Sequence, residues 1–208
     1  MDDTSIEIFE EDTTKKKDVV SLPVNFISVG TIEHDSIHVY IKQNAYKKIE
    51  KFAKEDTSKE VGSILLGGYI DDAEGKNVIL SDFIEAKYSD SSASTLTFTH
   101  ETWNYVYSEK DKKYADKSIV GWQHTHPGYG IFLSGYDIFI QENFFNLPWQ
   151  IAYVVDPIAN TRGFFEWKNN KVSKMTGFYI YDDVGKEIKL SKSAKPKRGI
   201  LFWGTCQF

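Results

Sequence analysis

From Asn25 to Tyr181 the chain alternates between short apolar, often β-branched runs and stretches whose apolar residues recur at helical spacing. The first kind predicts strands at Asn25–Gly30, Ile37–Ile41, Val61–Ile70, Val78–Ala86, Thr95–Phe98, Ser118–Gln123, Ile151–Val155, Gly163–Trp167 and Lys174–Tyr181. The second kind predicts two helices. Asn44–Lys54 carries Tyr46, Ile49 and Phe52 on one face, and Glu101–Ala115 carries Trp103, Val106 and Tyr107 on its buried side. A third helix, expected to run from a Ser134 cap through about Phe144, starts with a serine and an aspartate three residues later. Asp71-Asp-Ala-Glu-Gly75 and Asn169-Asn170 read as turns, and Ser89-Asp-Ser-Ser-Ala-Ser94 as a flexible loop.

These elements interleave without a regular βαβ repeat and without internal repeats. That implies an α/β fold of the α+β type, a single domain with a central mixed β-sheet flanked by helices. The domain is expected to span residues 22–185. Residues 1–21 are polar and charged, with Glu10-Glu-Asp and Lys15-Lys-Lys17, and read as a flexible arm. From residue 186 to 208 the chain turns basic (Lys189, Lys192, Lys195, Lys197, Arg198) and then apolar in Gly199-Ile-Leu-Phe-Trp203. That extension reads as a final strand or a segment packed on the domain. A docking segment for a partner chain is the alternative.

Composition narrows the picture. Hydrophobic residues make up 41% and aromatics 15% of the 208 residues, enough for a substantial core. A net charge of −5 gives no argument for a nucleic-acid partner. The single cysteine, Cys206, excludes an internal disulfide framework and a cysteine-based zinc site. It stands third from the end, which does not fit a prenylation box. No run approaches the roughly 18 apolar residues of a membrane span. Met1-Asp-Asp-Thr lacks the apolar stretch of a signal peptide. A soluble, cytoplasmic protein is expected.

The candidate chemistry lies in Gly121-Trp-Gln-His-Thr-His-Pro-Gly-Tyr-Gly-Ile-Phe-Leu-Ser-Gly-Tyr-Asp137. A strand runs straight into His124, and residues i and i+2 of a strand face the same way, so His124 and His126 can present both imidazoles to one point. Two neutral imidazoles and a carboxylate from Asp137 would suit zinc with a fourth position open to water, a catalytic rather than a structural set. The bland readings are a chance pair of histidines and an Asp137 that merely completes the capping box with Ser134. The two roles of Asp137 are compatible, and Pro127, Gly128 and Gly130 could fold the helix start back towards the strand end. A metal-bound water needs a base. Glu60, at the mouth of an apolar strand, is the candidate, against the reading of an exposed strand-end residue.

These residues carry a resemblance. The chain resembles the JAMM (MPN-plus, Mov34/PAD-1) zinc metalloproteases, whose pattern is a glutamate on an early strand, then His-x-His-Pro, six residues, Ser, two residues, Asp. Glu60, His124, His126, Pro127, Ser134 and Asp137 meet it. Gly128-Tyr-Gly130, Leu133-Ser-Gly135 and Val154-Val-Asp-Pro157 resemble the deubiquitinating branch, and the similarity runs from roughly Ser36 to Tyr181.

The resemblance implies one zinc ion on His124, His126 and Asp137, Glu60 as the general base, and Ser134 as a hydrogen-bond donor to the oxyanion. It implies an isopeptidase acting on ubiquitin or a ubiquitin-like protein. If Ser134 also caps the helix, capping and catalysis compete for its hydroxyl. Tyr88–Ser94 falls where that family carries a substrate-gripping insertion and is short here, and Pro157–Gly163 leaves no room for a second one. His34, His38 and His100 lack partners at ligand spacing and read as surface or capping residues. Trp122 and Phe132 read as core, with Phe132 able to line a cleft. Two other classes remain open: a hydrolase of a different small-protein or peptide conjugate, and a non-enzymatic module in which the arm or tail meets a protein partner.

Overall fold

The computed structural model describes residues 20–72 and 75–189. The N-terminal arm before residue 20, the basic and apolar tail beyond Lys189, and Cys206 lie outside the described residues. The strands are β1 (Phe26–Gly30), β2 (His38–Lys42), β3 (Gly62–Asp72), β4 (Gly75–Glu85), β5 (Asp90–Ser91), β6 (Leu96–Thr97), β7 (Ser118–Thr125), β8 (Ile151–Asp156), β9 (Thr161–Lys168), β10 (Lys171–Lys174) and β11 (Gly177–Tyr181). The helices are α1 (Gln43–Phe52), α2 (His100–Lys113) and α3 (Gly135–Phe144). No described helix is long and apolar enough to cross a membrane.

Nine strands form one mixed sheet in the order β1-β11-β2-β4-β3-β7-β8-β9-β10, the expected central sheet flanked by helices. Three pairings are parallel (β11 with β2, β2 with β4, β7 with β8) and the rest antiparallel. Alternation along the strands sends side chains into two main cores, and a smaller third cluster gathers Tyr40, Ile79 and Tyr181. Leu65, Val120, Tyr153 and Phe164 pack with Ala45, Tyr46 and Ile49 of α1. Ile64, Leu66, Trp122, Val154 and Phe165 pack with Val106 of α2 and Ile140 of α3.

A bulge in β7 decides which face the histidines take. Leu65 pairs with Gly121 but Leu66 pairs with Ile119, so Val120 is the extra residue. An inserted residue shifts the period-two alternation by one. Val120 therefore enters the α1 core while Ile119 and Trp122 both face the α2 and α3 side, and His124 and His126 follow Trp122 onto that face. Gly121 makes the bulge possible, because a Cβ there would lie 1.9 Å from the Ile151 carbonyl oxygen. Gly121→Ala is expected to cost about 1–3 kcal/mol of stability, the range of a forced backbone shift in a packed core. An unchanged denaturation midpoint would remove the bulge from this account.

Several local expectations need correction. Lys174–Tyr181 is not one strand: β10 pairs with β9 and ends at Lys174, and β11 pairs with β1 and β2 at the other end of the sheet. Between them Met175 N–H donates to Phe164 O at 2.9 Å and Thr176 Oγ1 donates to Thr31 O at 2.7 Å, which draws the two ends of the sheet together. Tyr107 is exposed, because α2 buries Thr102 and Val106 at i and i+4 and leaves position 107 outside that stripe. The serine-rich loop holds a short hairpin, β5 against β6, closed by Ser92 N–H to Thr95 O at 2.9 Å. Lys186–Lys189 runs along the start of α1, where Gln43 Oε1 accepts from Lys189 N–H at 2.9 Å and Ile188 packs on the core.

Candidate metal centre

The site forms where β7 ends. His124 is the penultimate residue of β7, and His126 follows the last, with its N–H held by Val155 O of β8 at 2.9 Å. The two Nε2 atoms stand 2.9 Å apart. Asp137 comes from the first turn of α3, which Ser134 opens as N-cap. Ser134 Oγ accepts from Asp137 N–H at 3.2 Å, and Asp137 Oδ2 accepts from Ser134 N–H at 2.6 Å, so the predicted capping box is present. That box fixes the carboxylate as it faces the histidines: Oδ1 lies 3.3 Å from His124 Nε2 and Oδ2 3.4 Å from His126 Nε2. All three side chains are buried.

Among the described residues, His124, His126 and Asp137 are the one His, Cys, Asp or Glu group whose ligand atoms lie close enough to hold an ion, all within 4.8 Å of one another. Zinc takes nitrogen and oxygen ligands at about 2.0–2.1 Å in a tetrahedron, which requires ligand-to-ligand edges of about 3.3 Å. The two imidazole nitrogens stand 2.9 Å apart and each has one Asp137 oxygen near that distance, Oδ1 at 3.3 Å from His124 and Oδ2 at 3.4 Å from His126. The donor set fits a zinc ion.

Electrostatics fit as well. Burial pushes the His124 imidazole down, with the neighbouring Asp137 opposing only in part, so the ring is held in the neutral form a metal requires. Burial alone would raise the Asp137 carboxyl. Hydrogen bonds from His124 and His126 and from the Ser134 cap outweigh it and hold the group far below the usual carboxylate range. Stacking sets the ring orientations. Trp122 lies parallel to His124, centroids 4.4 Å apart, and Phe132 leans on His126 at 4.6 Å. Trp122 is fully buried and Phe132 is 45% exposed, so one is core and the other borders the opening.

Glu60 precedes β3 and is buried, not an exposed strand end. Its N–H donates to Ser92 O of the β5–β6 turn at 2.8 Å, and Oε1 lies 3.7 Å from His126 Nε2. Burial, with Asp137 adding to it and His126 opposing, pushes its carboxyl up to about 7. His38 lies on β2 against Tyr179, and His100 opens α2 beside Asn104. Neither is drawn into the centre.

Two supporting side chains are not legible as such in the sequence. Gln141, one turn after Asp137 on α3, accepts from Trp122 Nε1 at 2.7 Å and donates to Phe145 O and Gln150 O at 2.9 and 3.0 Å. It thereby locks the indole that stacks on His124. Asp156, the last residue of β8, holds the loop after His126. A polar residue at i+4 on a buried helix face, and an aspartate closing an apolar strand, are the signals that mark them.

Comparison with known proteins agrees with this geometry. The profile described as JAB1/Mov34/MPN/PAD-1 ubiquitin protease matches residues 34–147, more than half of the chain. The chain is 31% identical over 126 residues to the 26S proteasome regulatory subunit rpn11 of Schizosaccharomyces pombe, covering 60% of this chain and 40% of that protein. It is 30% identical over the same length to the ubiquitin carboxyl-terminal hydrolase RPN11 of Saccharomyces cerevisiae, again 60% of this chain and 40% of that one. To the 26S proteasome non-ATPase regulatory subunit 14 of Caenorhabditis elegans it is 34% identical, covering 60% and 39%. The matched region thus spans about two fifths of these relatives. The solution structure of DSY2949 from Desulfitobacterium hafniense shares the fold, with a TM-score of 0.53 at 15% identity over 70% of this chain and 94% of that one. The matched profile runs through Glu60, both histidines and Asp137, and on that ground the chain belongs to the JAB1/Mov34/MPN/PAD-1 family.

Proposed function

We propose that residues 22–185 form a zinc-dependent isopeptidase that removes ubiquitin or a ubiquitin-like protein from conjugates or precursors. The observation that carries this reading is the convergence of His124, His126 and Asp137, their ligand atoms within 4.8 Å of one another, with a buried glutamate 3.7 Å from His126 Nε2. Similarity to a ubiquitin carboxyl-terminal hydrolase supports the substrate class. Zinc bound by the three ligands would acidify a water and polarise the scissile carbonyl.

The protein's own groups do the rest. Glu60 accepts the proton of the attacking water and returns it to the leaving amine. A carboxyl near 7 is matched to that shuttle, and the charge of a bound ion would lower it further towards the base form. Glu60 Oε1 lies 3.7 Å from His126 Nε2, longer than a hydrogen bond, so the carboxylate is not tied to that ring and is free to accept from water. Ser134 donates to the developing oxyanion. Capping and this role do not compete, because the cap uses an acceptor lone pair of Oγ and leaves the hydroxyl proton to donate. The β5–β6 hairpin, tied to Glu60 through Ser92 and to α3 through the Thr97–Tyr136 hydroxyl pair at 2.8 Å, offers an edge for an extended substrate tail.

The direct test is incubation of zinc-loaded protein with a panel of ubiquitin and ubiquitin-like fusions, read by mass. Cleavage after the C-terminal residue of one modifier is expected, and no cleavage of any member by metal-loaded protein would overturn the isopeptidase reading. Ser134 has its own test. Ser134→Ala should cut turnover by about 10²–10³ with little change in KM and cost about 1 kcal/mol of stability as a lost cap. Ser134→Asn should recover the stability and not the turnover. An active Asn variant would reduce Ser134 to a cap.

A further inference from the structure

The relative placement of His126 and Asp137 depends on the segment between them. Gly128 and Gly130 take left-handed φ values of +81° and +87°, a path that packing alone would not select. One side chain holds that path. Asp156, 1% exposed at the end of β8, accepts through Oδ1 from the N–H groups of Gly128 at 3.0 Å and of Ile158 and Ala159 at 2.9 Å each, and through Oδ2 from Gly130 N–H at 2.9 Å. Four backbone donors from two loops thus converge on one carboxylate, three on Oδ1 and one on Oδ2. β8 also supplies Val155 O to His126 N–H, so the aspartate is one residue from the strand position that fixes the second histidine.

We infer that Asp156 is a positioning residue: its carboxylate fixes the loop joining His126 to Asp137 and so sets the spacing at which the two histidines and the aspartate converge. This rests on reading that trio as a metal centre. The chemistry asks for a carboxylate of this length. Asparagine keeps one acceptor oxygen but turns an amide N–H towards a backbone N–H. Glutamate is a methylene too long for a loop held at 2.9–3.0 Å. The neighbouring strands act on the same loop. Lys174 Nζ of β10 donates to Ile131 O at 3.1 Å. Gly163 of β9 lies under Ile131, where a Cβ would come 2.8 Å from Cγ2.

The experiment has two readouts. In metal-free wild-type protein, the Gly128 and Gly130 amides should exchange at least about tenfold more slowly than free amides, although Gly128 is exposed. In Asp156→Asn, whose oxygen can keep the three donors now on Oδ1, Gly130 should lose that protection while β7 amides keep theirs. Zinc affinity, read by competition with a coloured chelator, should fall about 10–100-fold in the variant, the usual effect of removing an outer support of a metal site. A folded Asp156→Asn protein with wild-type zinc affinity would overturn the inference. So would fast exchange at both glycines in the wild type, a measurement that stands even if the variant does not fold. A wild-type chain that binds no zinc while both glycines are protected by Asp156 would sink the metal-centre reading instead, so the two failures are distinguishable.

Discussion

Glu60→Gln is expected to keep the fold and the metal while losing about 10²–10⁴ of turnover, the usual contribution of a positioned general base. The amide is nearly isosteric with the carboxyl and cannot accept the water's proton. The variant also makes a second, opposite prediction about stability. In metal-free protein, burial raises the Glu60 carboxyl from 4.5 to about 7, so between those values the folded chain binds more protons than the unfolded one. Stability contributed by the protonated form is present below pH 4.5 and is lost as pH rises through 7. Glutamine carries no charge to bury. Measured with a chelator present, the Tm of Glu60→Gln relative to wild type should therefore rise from pH 4.5 to pH 7 and level off above it. A variant that loses activity without this trend would place the base role on Glu60 but not its burial cost. A fully active variant would move the base elsewhere.

His126→Ala is expected to lose most bound zinc and with it all measurable cleavage. It leaves His124 and Asp137, and two protein ligands rarely hold a catalytic zinc. It also removes one of the hydrogen bonds that hold the Asp137 carboxyl ionised. Metal content after dialysis is the readout, with circular dichroism to show that the fold persists. Full zinc occupancy in this variant would remove His126 from the ligand set.

The parts of the site that were legible from residues alone are those set within one element. The i, i+2 spacing of His124 and His126 on a strand, and the i, i+3 spacing of Ser134 and Asp137 at a helix start, are properties of backbone periodicity and capping. The stripe of Tyr46 and Ile49 on α1 is of the same kind. The mixed sheet with helices on both faces followed from the order of apolar runs and helical stretches, because each element had one face to bury.

What only the tertiary structure decided involves residues far apart in the chain. The bulge at Val120 chooses the face of the histidines, and its cause is the close approach of β8 at Gly121, which strand periodicity does not encode. The split of the last predicted strand at Met175 depends on pairing with two strands at opposite ends of the sheet. The burial of Glu60, and hence its raised carboxyl, comes from a hairpin and a histidine loop brought over it by packing. Asp156 reads as an ordinary strand end until the loop after His126 folds back onto its carboxylate. Local geometry is set by covalent backbone periods, which a sequence displays directly. Long-range pairing is set by which apolar faces and backbone donors find partners, and that is resolved only when the whole sheet has packed against its cores.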